Sequence, residues 1–325
     1  VSSCERSSDV AAAVFAFLGN DVRLRILHSL YERTVEPGPM ASAASYSTVR
    51  ADVGVEDSGR FSYHLDKLTD RFITRHDGGY RLREAGREVV RLHRTGVLSS
   101  EPTVAFEPVE AACFHCGATA EAGYEGGYLL TRCPECPGLL DHELSPHGTL
   151  SALAYPPSGV ESAPDVETIF RRAHHRLEHR MAMMGSGFCG RCGGNVTASF
   201  DLTGAPREGS GCVALDPADG PEDGTTEEDR RYDHLLNHDG LAEFACDCCG
   251  ILRLTHPLHA IVGQEPVAGI LSERNAEPGW ERFAEVMRWP VTERDDRLTF
   301  ETPDGGFLTV SEDLTVEEEP SAAAD

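Results

Sequence analysis

Apolar residues recur at helical spacing through the first part of the chain. Val10, Val14, Phe17 and Leu18 predict a helix over 9–20 that ends at Gly19 and Asn20, and Val22, Leu24, Ile26, Leu27 and Leu30 predict a second over 21–32 with Asp21 as its cap. A Pro/Gly/Ala/Ser stretch at 35–45 separates these from a short helix within 46–55 that stops at Gly54. The next helix starts at Asp57 or Ser58. Phe61, Leu65, Leu68 and Phe72 give it one buried face, and Ser58, Arg60, Ser62, Tyr63, Asp66 and Lys67 are left outward. Residues 72–83 read as two short strands around the turn His76-Asp77-Gly78-Gly79. An amphipathic helix over 84–96, carrying Val89, Val90 and Leu92, follows them.

A short helix, a turn containing glycine and a second helix with Arg, Ser and Tyr exposed early is the pattern of a helix-turn-helix, and a hairpin directly behind it is the pattern of a wing. Residues 10–96 resemble an ArsR-type winged helix-turn-helix, in particular the versions in haloarchaeal regulators. The segments "FAFLGNDVRLRILHSL", "DSGRFSYHLDKL" and "GGYRLREAGREVV" carry the resemblance. It implies DNA binding as a homodimer, with the terminal helices at the interface. Members that sense soft metals place cysteines in the helix before the recognition helix; "YSTVRADV" has none, so sensing of that kind is not expected. By position, Arg60, Ser62 and Tyr63 are the expected base readers, with Ser58 at the helix start. Lys67, Arg75 and Arg81 are the expected phosphate contacts. The competing reading makes these ordinary solvated residues on a module used for protein contacts.

Cysteine is the second strong pattern. Of eleven cysteines, eight form four Cys-x-x-Cys pairs: Cys113 with Cys116, Cys133 with Cys136, Cys189 with Cys192 and Cys246 with Cys249. Three pairs are followed at once by glycine, the pattern of a zinc knuckle, in which two thiolates point one way and nearby amides soften their charge. Sixteen residues separate Cys116 from Cys133, the gap of a zinc ribbon. The second two pairs are 53 residues apart, but 216–233 reads as an acidic excursion that can loop out and bring strand "NVTASFDL" beside "LAEFAC". Two structural Zn2+ sites with four cysteines each are therefore expected. Spacing favours Cys249 over Cys248 as the last ligand, and Cys4, Cys212 and Cys248 are expected as free thiols. Disulfides and redox sensing are the alternatives for the paired thiols. A shell of four thiolates is closed, which argues against catalytic zinc.

Residues 163–187 predict a helix joining the two ribbons. Its Arg171, Arg172, Arg176 and Arg180, with His174, His175 and His179, form the strongly basic stretch of the acidic half. His175 and His179, spaced i and i+4, are a candidate metal pair, set against the simpler reading of a solvated face. Residues 256–277 look helical in part, 279–289 form another helix, and 297–319 alternate as a hairpin around Pro303-Asp304-Gly305-Gly306. From about 105 to 319 the chain resembles the carboxy-terminal domain that follows ArsR-type helices in haloarchaeal proteins of unassigned role.

Charge modifies this picture. The formal net charge is -25, but residues 1–98 carry +1 and residues 99–325 carry -26. Lys67 is the single lysine beside 28 arginines, and with the surplus acid this suggests adaptation to molar intracellular salt. A GC-rich genome would explain the missing lysine but not the acid. Phosphate attraction falls with salt at a log-log slope of about -0.9 per contact, so in such salt a near-neutral reading domain suffices. No apolar run approaches the roughly 18 residues of a membrane span, and no secretory signal opens the chain, so a cytoplasmic protein is expected.

The expected fold class is α+β. A winged helix-turn-helix at 1–98 would be followed by a first ribbon at 99–160, a linking helix at 161–187, a second ribbon with helices and hairpin at 188–319 and an acidic tail at 320–325. The expected function is a sequence-specific DNA-binding transcriptional regulator acting on double-stranded DNA as a homodimer. An adaptor docking onto transcription-machinery protein, without sequence preference of its own, is the alternative. No nucleophile motif, phosphate loop or open metal shell points to an enzyme.

Overall fold

The computed structural model describes residues 8–33, 43–76, 78–139, 146–200, 242–294, 297–311 and 314–319. The expectations for Cys4, Cys212, the acidic excursion at 216–233 and the tail at 320–325 lie outside them. The chain is a mixed helix and sheet protein of two compact units, one of residues 5–102 with 156–162, the other of residues 1–4, 103–155 and 163–325.

In the first unit α1 (Ser8–Leu18) and α2 (Asp21–Arg33) precede α3 (Tyr46–Val53) and α4 (Ser58–Leu68). Strands β1 (Ile73–His76) and β2 (Gly79–Leu82) form an antiparallel hairpin, and α5 (Glu84–Arg94) follows. α2 packs against α3, α4 and α5, and Ile26, Leu27, Leu30, Val49, Phe61 and Leu65 fill the space between them. Local chemistry explains the breaks. Ser45 caps α3 by accepting from the Thr48 amide, and Gly54 ends it at a φ of 67°, a conformation that costs glycine little. The Asp57 side chain accepts from the amides of Gly59 and Arg60 and starts α4. α4 is one turn shorter than the apolar pattern suggests. It ends at Leu68, and Phe72 is buried from the following turn, its amide donating to the Leu68 carbonyl.

The larger unit has three antiparallel sheets and one long helix. Strands β3 (Val104–Ala112), β4 (Thr119–Glu125), β5 (Tyr128–Arg132) and β6 (Thr149–Ala154) form a meander in that order. Pro108 is accommodated because β3 is an edge strand with irregular register around it. Strands β7 (Val196–Phe200), β8 (Ala242–Cys246) and β9 (Leu252–Thr255) form the second sheet. The third joins β10 (Val291–Arg294), β11 (Arg297–Glu301), β12 (Phe307–Val310) and β13 (Val316–Glu319), so the expected hairpin is the middle of a four-stranded meander.

Two expected segments are divided differently. Residues 156–162, with the short helix α6 (Pro157–Glu161), group with the first unit, where the Ser158 amide donates to the Thr95 carbonyl at 3.1 Å. α7 (Val166–Gly185) does more than link the ribbons. It packs against all four strands of the first sheet, β7 and the helices Pro257–Ala260 and Trp280–Val286. Asp165 caps it, and Val166, Ile169, Phe170, Ala173, Met181 and Met184 are buried along it. His174 and Glu178 are buried too. Glu178 accepts from the Gly279 amide and from Arg282 at 2.9 Å, which compensates its burial.

Candidate functional site

Each expected cysteine pair sits on a tight turn at a strand end. Cys113 and Cys116 lie between β3 and β4, and Cys133 and Cys136 follow β5. In the first turn the Gly117 amide donates to the Cys113 carbonyl at 3.0 Å and the Cys113 amide to the Ala118 carbonyl at 2.8 Å, with Gly117 at a φ of 77°. Cys189 and Cys192 lie between α7 and β7 in an equivalent turn closed by Gly193 (φ 73°), and Cys246, the last residue of β8, and Cys249 form one closed by Gly250 (φ 66°) before β9. The backbone, rather than any single side chain, aims each pair.

The four pairs meet as two tetrads. Cys113 and Cys136 Sγ are 3.7 Å apart and Cys116 and Cys133 Sγ 3.5 Å. The second tetrad repeats this, with 3.7 Å between Cys189 and Cys249 and 3.5 Å between Cys192 and Cys246. Within each tetrad all four sulfurs lie within 4.8 Å of one another. A tetrahedral ion bound at about 2.3 Å places its sulfurs roughly 3.8 Å apart, whereas a disulfide needs about 2.0 Å. The eight thiols are free, and their geometry fits a metal ion. Amides of His115 and Glu135 point at the sulfurs of Cys113 and Cys133, each at 3.4 Å. Arg191 and Gly194 do the same for Cys189 and Cys192. Around Cys189, burial pushes the thiol up, but the Arg191 and Cys192 amides and neighbouring thiols outweigh it and bring it down to about 7. At Cys192 the Gly194 amide pulls down, yet Cys246, burial and the other two thiols push it up to about 12. Four adjacent thiolates repel one another, and a bound cation removes that repulsion.

Cys249, not Cys248, completes the second tetrad. The expectation of a free thiol at Cys248 is corrected: it is disulfide-bonded. Cys248 lies directly over Gly194, where an added Cβ would come within 2.7 Å of its sulfur, and so sits beside the tetrad without entering it. His175 and His179 belong to no metal-binding group among the described residues.

The residues expected to meet DNA divide into three environments. Arg60, Tyr63 and Lys67, spaced i, i+3 and i+7, form one exposed stripe along α4, and the Lys67 ammonium lies 5.7 Å from the Tyr63 ring. Ser58 is exposed at the helix start, its carbonyl accepting from the Tyr46 hydroxyl at 3.1 Å. Ser62 is partly buried and shares a 2.8 Å hydrogen bond with the same hydroxyl, which occupies it internally. On the hairpin Arg75 is exposed, 6.0 Å from the Tyr80 ring, and Arg81 is half-buried.

The family model of a domain of unknown function, DUF7351, matches residues 110–316, well over half of the chain. The chain belongs to the DUF7351 family. Both tetrads, α7 and most of the third sheet fall inside the DUF7351 span, so the metal-binding geometry belongs to that domain. A second family model, also a domain of unknown function (DUF7347), matches residues 11–92 and takes in α2 to α4 and the hairpin. No curated protein and no solved structure matches the chain at a significant level.

Three contributors to these sites escaped sequence reasoning. Tyr46 ties α3 to α4, and its position at the start of a short helix carried no signal of that role. Gly148 receives the Cys133 amide at 2.8 Å, from a position twelve residues beyond the last cysteine of its tetrad. The third group, buried in the DUF7351 span, is His256 and His259 together with His174, which the sequence placed only on a basic face.

Proposed function

We propose that the chain is a sequence-specific DNA-binding transcriptional regulator, its first unit a winged helix-turn-helix of the ArsR type and its DUF7351 unit held together by two structural zinc ions. The carrying observation is α4. It buries Phe61, Leu65 and Leu68 and turns Arg60, Tyr63 and Lys67 outward in one stripe, with a capped turn before it and the β1–β2 hairpin after it. A rigid helix with an exposed arginine near its start suits guanine recognition in the major groove. Arg60 and Tyr63 are the base readers in this reading. Ser58, Lys67, Arg75 and Arg81 position the backbone, and Ser62 supports the helix through Tyr46.

Zinc suits the tetrads because four thiolates in a tetrahedron are its structural shell, and that closed shell leaves no place for a substrate. Dimerisation is proposed through α1, whose Ala12, Ala13, Phe15 and Ala16 are exposed, and α5, where Leu92 is exposed. Selection of fragmented host DNA by the zinc-loaded protein in roughly 2 M KCl, with Arg60→Ala in parallel, tests the reading, because base contacts persist where phosphate attraction fades. A shared, two-fold-symmetric site that the variant loses supports it. No enrichment by a folded, zinc-loaded protein would overturn it in favour of an adaptor without sequence preference.

A further inference from the structure

A cavity of about 350 Å3 lies inside the larger unit, between β5 and β6, α7, and the segment from β9 to helix Pro257–Ala260. Its volume is that of a small-molecule site, and its walls are largely apolar, with Leu150, Leu177, Met181, Phe283 and Met287 among them. A structural lobe gains nothing from such a space, because unfilled apolar volume forfeits packing energy.

Two polar features point to an occupant. The first is a set of histidines on the wall, His174, His256 and His259, each almost fully buried. The Nδ1 of His259 meets the Thr255 hydroxyl at 2.9 Å, and the Nε2 of His174 lies 3.4 Å from the Thr131 hydroxyl. The Nδ1 of His256 is buried and has no hydrogen-bond partner among the described residues, a cost that a bound polar group would remove. The second feature is Arg176, Arg180 and Arg253, which also line the cavity. No carboxylate pairs with Arg176 or Arg180 among the described residues. Burial, and then the charges of Arg176, Arg253 and Arg191, push the Arg180 guanidinium below its ordinary range, against the opposing pull of the Cys189 thiol. In a chain of net charge -25, Arg176 and Arg180 without a carboxylate partner among the described residues give this cavity a positive wall.

We propose that this cavity binds a small organic acid, its carboxylate held by Arg176 and Arg180 and its apolar chain or ring lying among Leu177, Met181 and Phe283, with His256 meeting a polar atom. Guanidinium is the side chain best suited to a carboxylate, and the apolar walls disfavour inorganic anions and nucleotides. The inference does not rest on DNA binding, and its test uses no DNA.

Decanoate and 4-phenylbutyrate are titrated into the zinc-loaded full chain by calorimetry, in KCl that keeps it folded, with decanol and decylamine as neutral and cationic controls. Trp280, whose ring is 5.0 Å from that of His174, supplies an independent fluorescence readout. One acid is expected to saturate at one molecule per chain, at least tenfold tighter than decanol, with decylamine not binding. Arg180→Gln should lower affinity for the acid at least tenfold and leave decanol unchanged. Ala152→Phe, at an exposed position on the cavity wall, should weaken both while two zinc ions and the circular dichroism spectrum are retained. No saturable binding of either acid would overturn the proposal. So would equal affinity for acid and alcohol, or binding indifferent to both substitutions.

Discussion

Gly148 illustrates how a residue without chemistry of its own shapes a metal site. Its φ is 82°, and a Cβ there would stand 2.0 Å from the Cys133 carbonyl oxygen, so any side chain would displace the turn that carries Cys133 and Cys136. Gly148→Ala is expected to halve the zinc content, from two ions per chain to one, by elemental analysis of the purified protein. A variant that keeps both ions would show that the turn yields more easily than its geometry implies. Cys248 and Cys249 make a sharper pair, because they are adjacent yet serve different bonds. Cys249→Ser should lose the second ion, and Cys248→Ser should keep it.

At the level of elements, α4 and α7 owe their stability to polar contacts at different depths. Asp57 caps α4 from an exposed position, and Asp57→Ala should cost about 1 kcal/mol in urea unfolding of the first unit. Glu178, by contrast, is buried on α7 and satisfies both the Gly279 amide and Arg282. Glu178→Leu strands a largely buried guanidinium and an amide, so a loss of roughly 3 kcal/mol is expected. Urea denaturation of the larger unit would reveal it, and a loss below about 1 kcal/mol would mean that the pair contributes little.

For the whole molecule, the two units should answer differently to metal removal and to acid. The core of the first unit contains none of the eight tetrad cysteines, whereas both tetrads anchor sheets of the other. A strong zinc chelator is therefore expected to expose the strands of the DUF7351 span to limited proteolysis while the helices α2 to α5 of the first unit stay protected. Acid acts through the buried histidines. Burial, reinforced at His174 and His256 by neighbouring histidines, pushes their imidazoles down to about 3, and burial pushes His259 down to about 4. In the unfolded chain the same groups titrate near 6.5. Their contribution is thus complete above about pH 6.5 and is lost as pH falls toward 4 and 3, because protons bind the unfolded state first. The Tm of the larger unit should decline through this window, and His256→Leu should make the decline shallower. Zinc content measured alongside separates this effect from protonation of the thiolates.

Much of this was legible from the chain alone, for a physical reason: helix periodicity, caps and Cys-x-x-Cys turns depend on residues within a few positions of each other. Phe61, Leu65 and Leu68 read correctly as one buried face, and all eight tetrad cysteines were named from spacing and the glycines after them. Sequence spacing could not reach what depends on distant segments folding together. The pattern reads through Phe72, yet α4 stops at Leu68, and Ser62 looked free until Tyr46 was brought against it. Arg171, Arg172 and His179 of α7 are exposed as expected of a solvated basic face, whereas His174 is buried beneath Trp280 and Phe170. Arg176 and Arg180 gain their surroundings only where two sheets close around the helix and leave a cavity. Local order follows from local residue types, and the environment of a charge follows from what the tertiary fold packs around it.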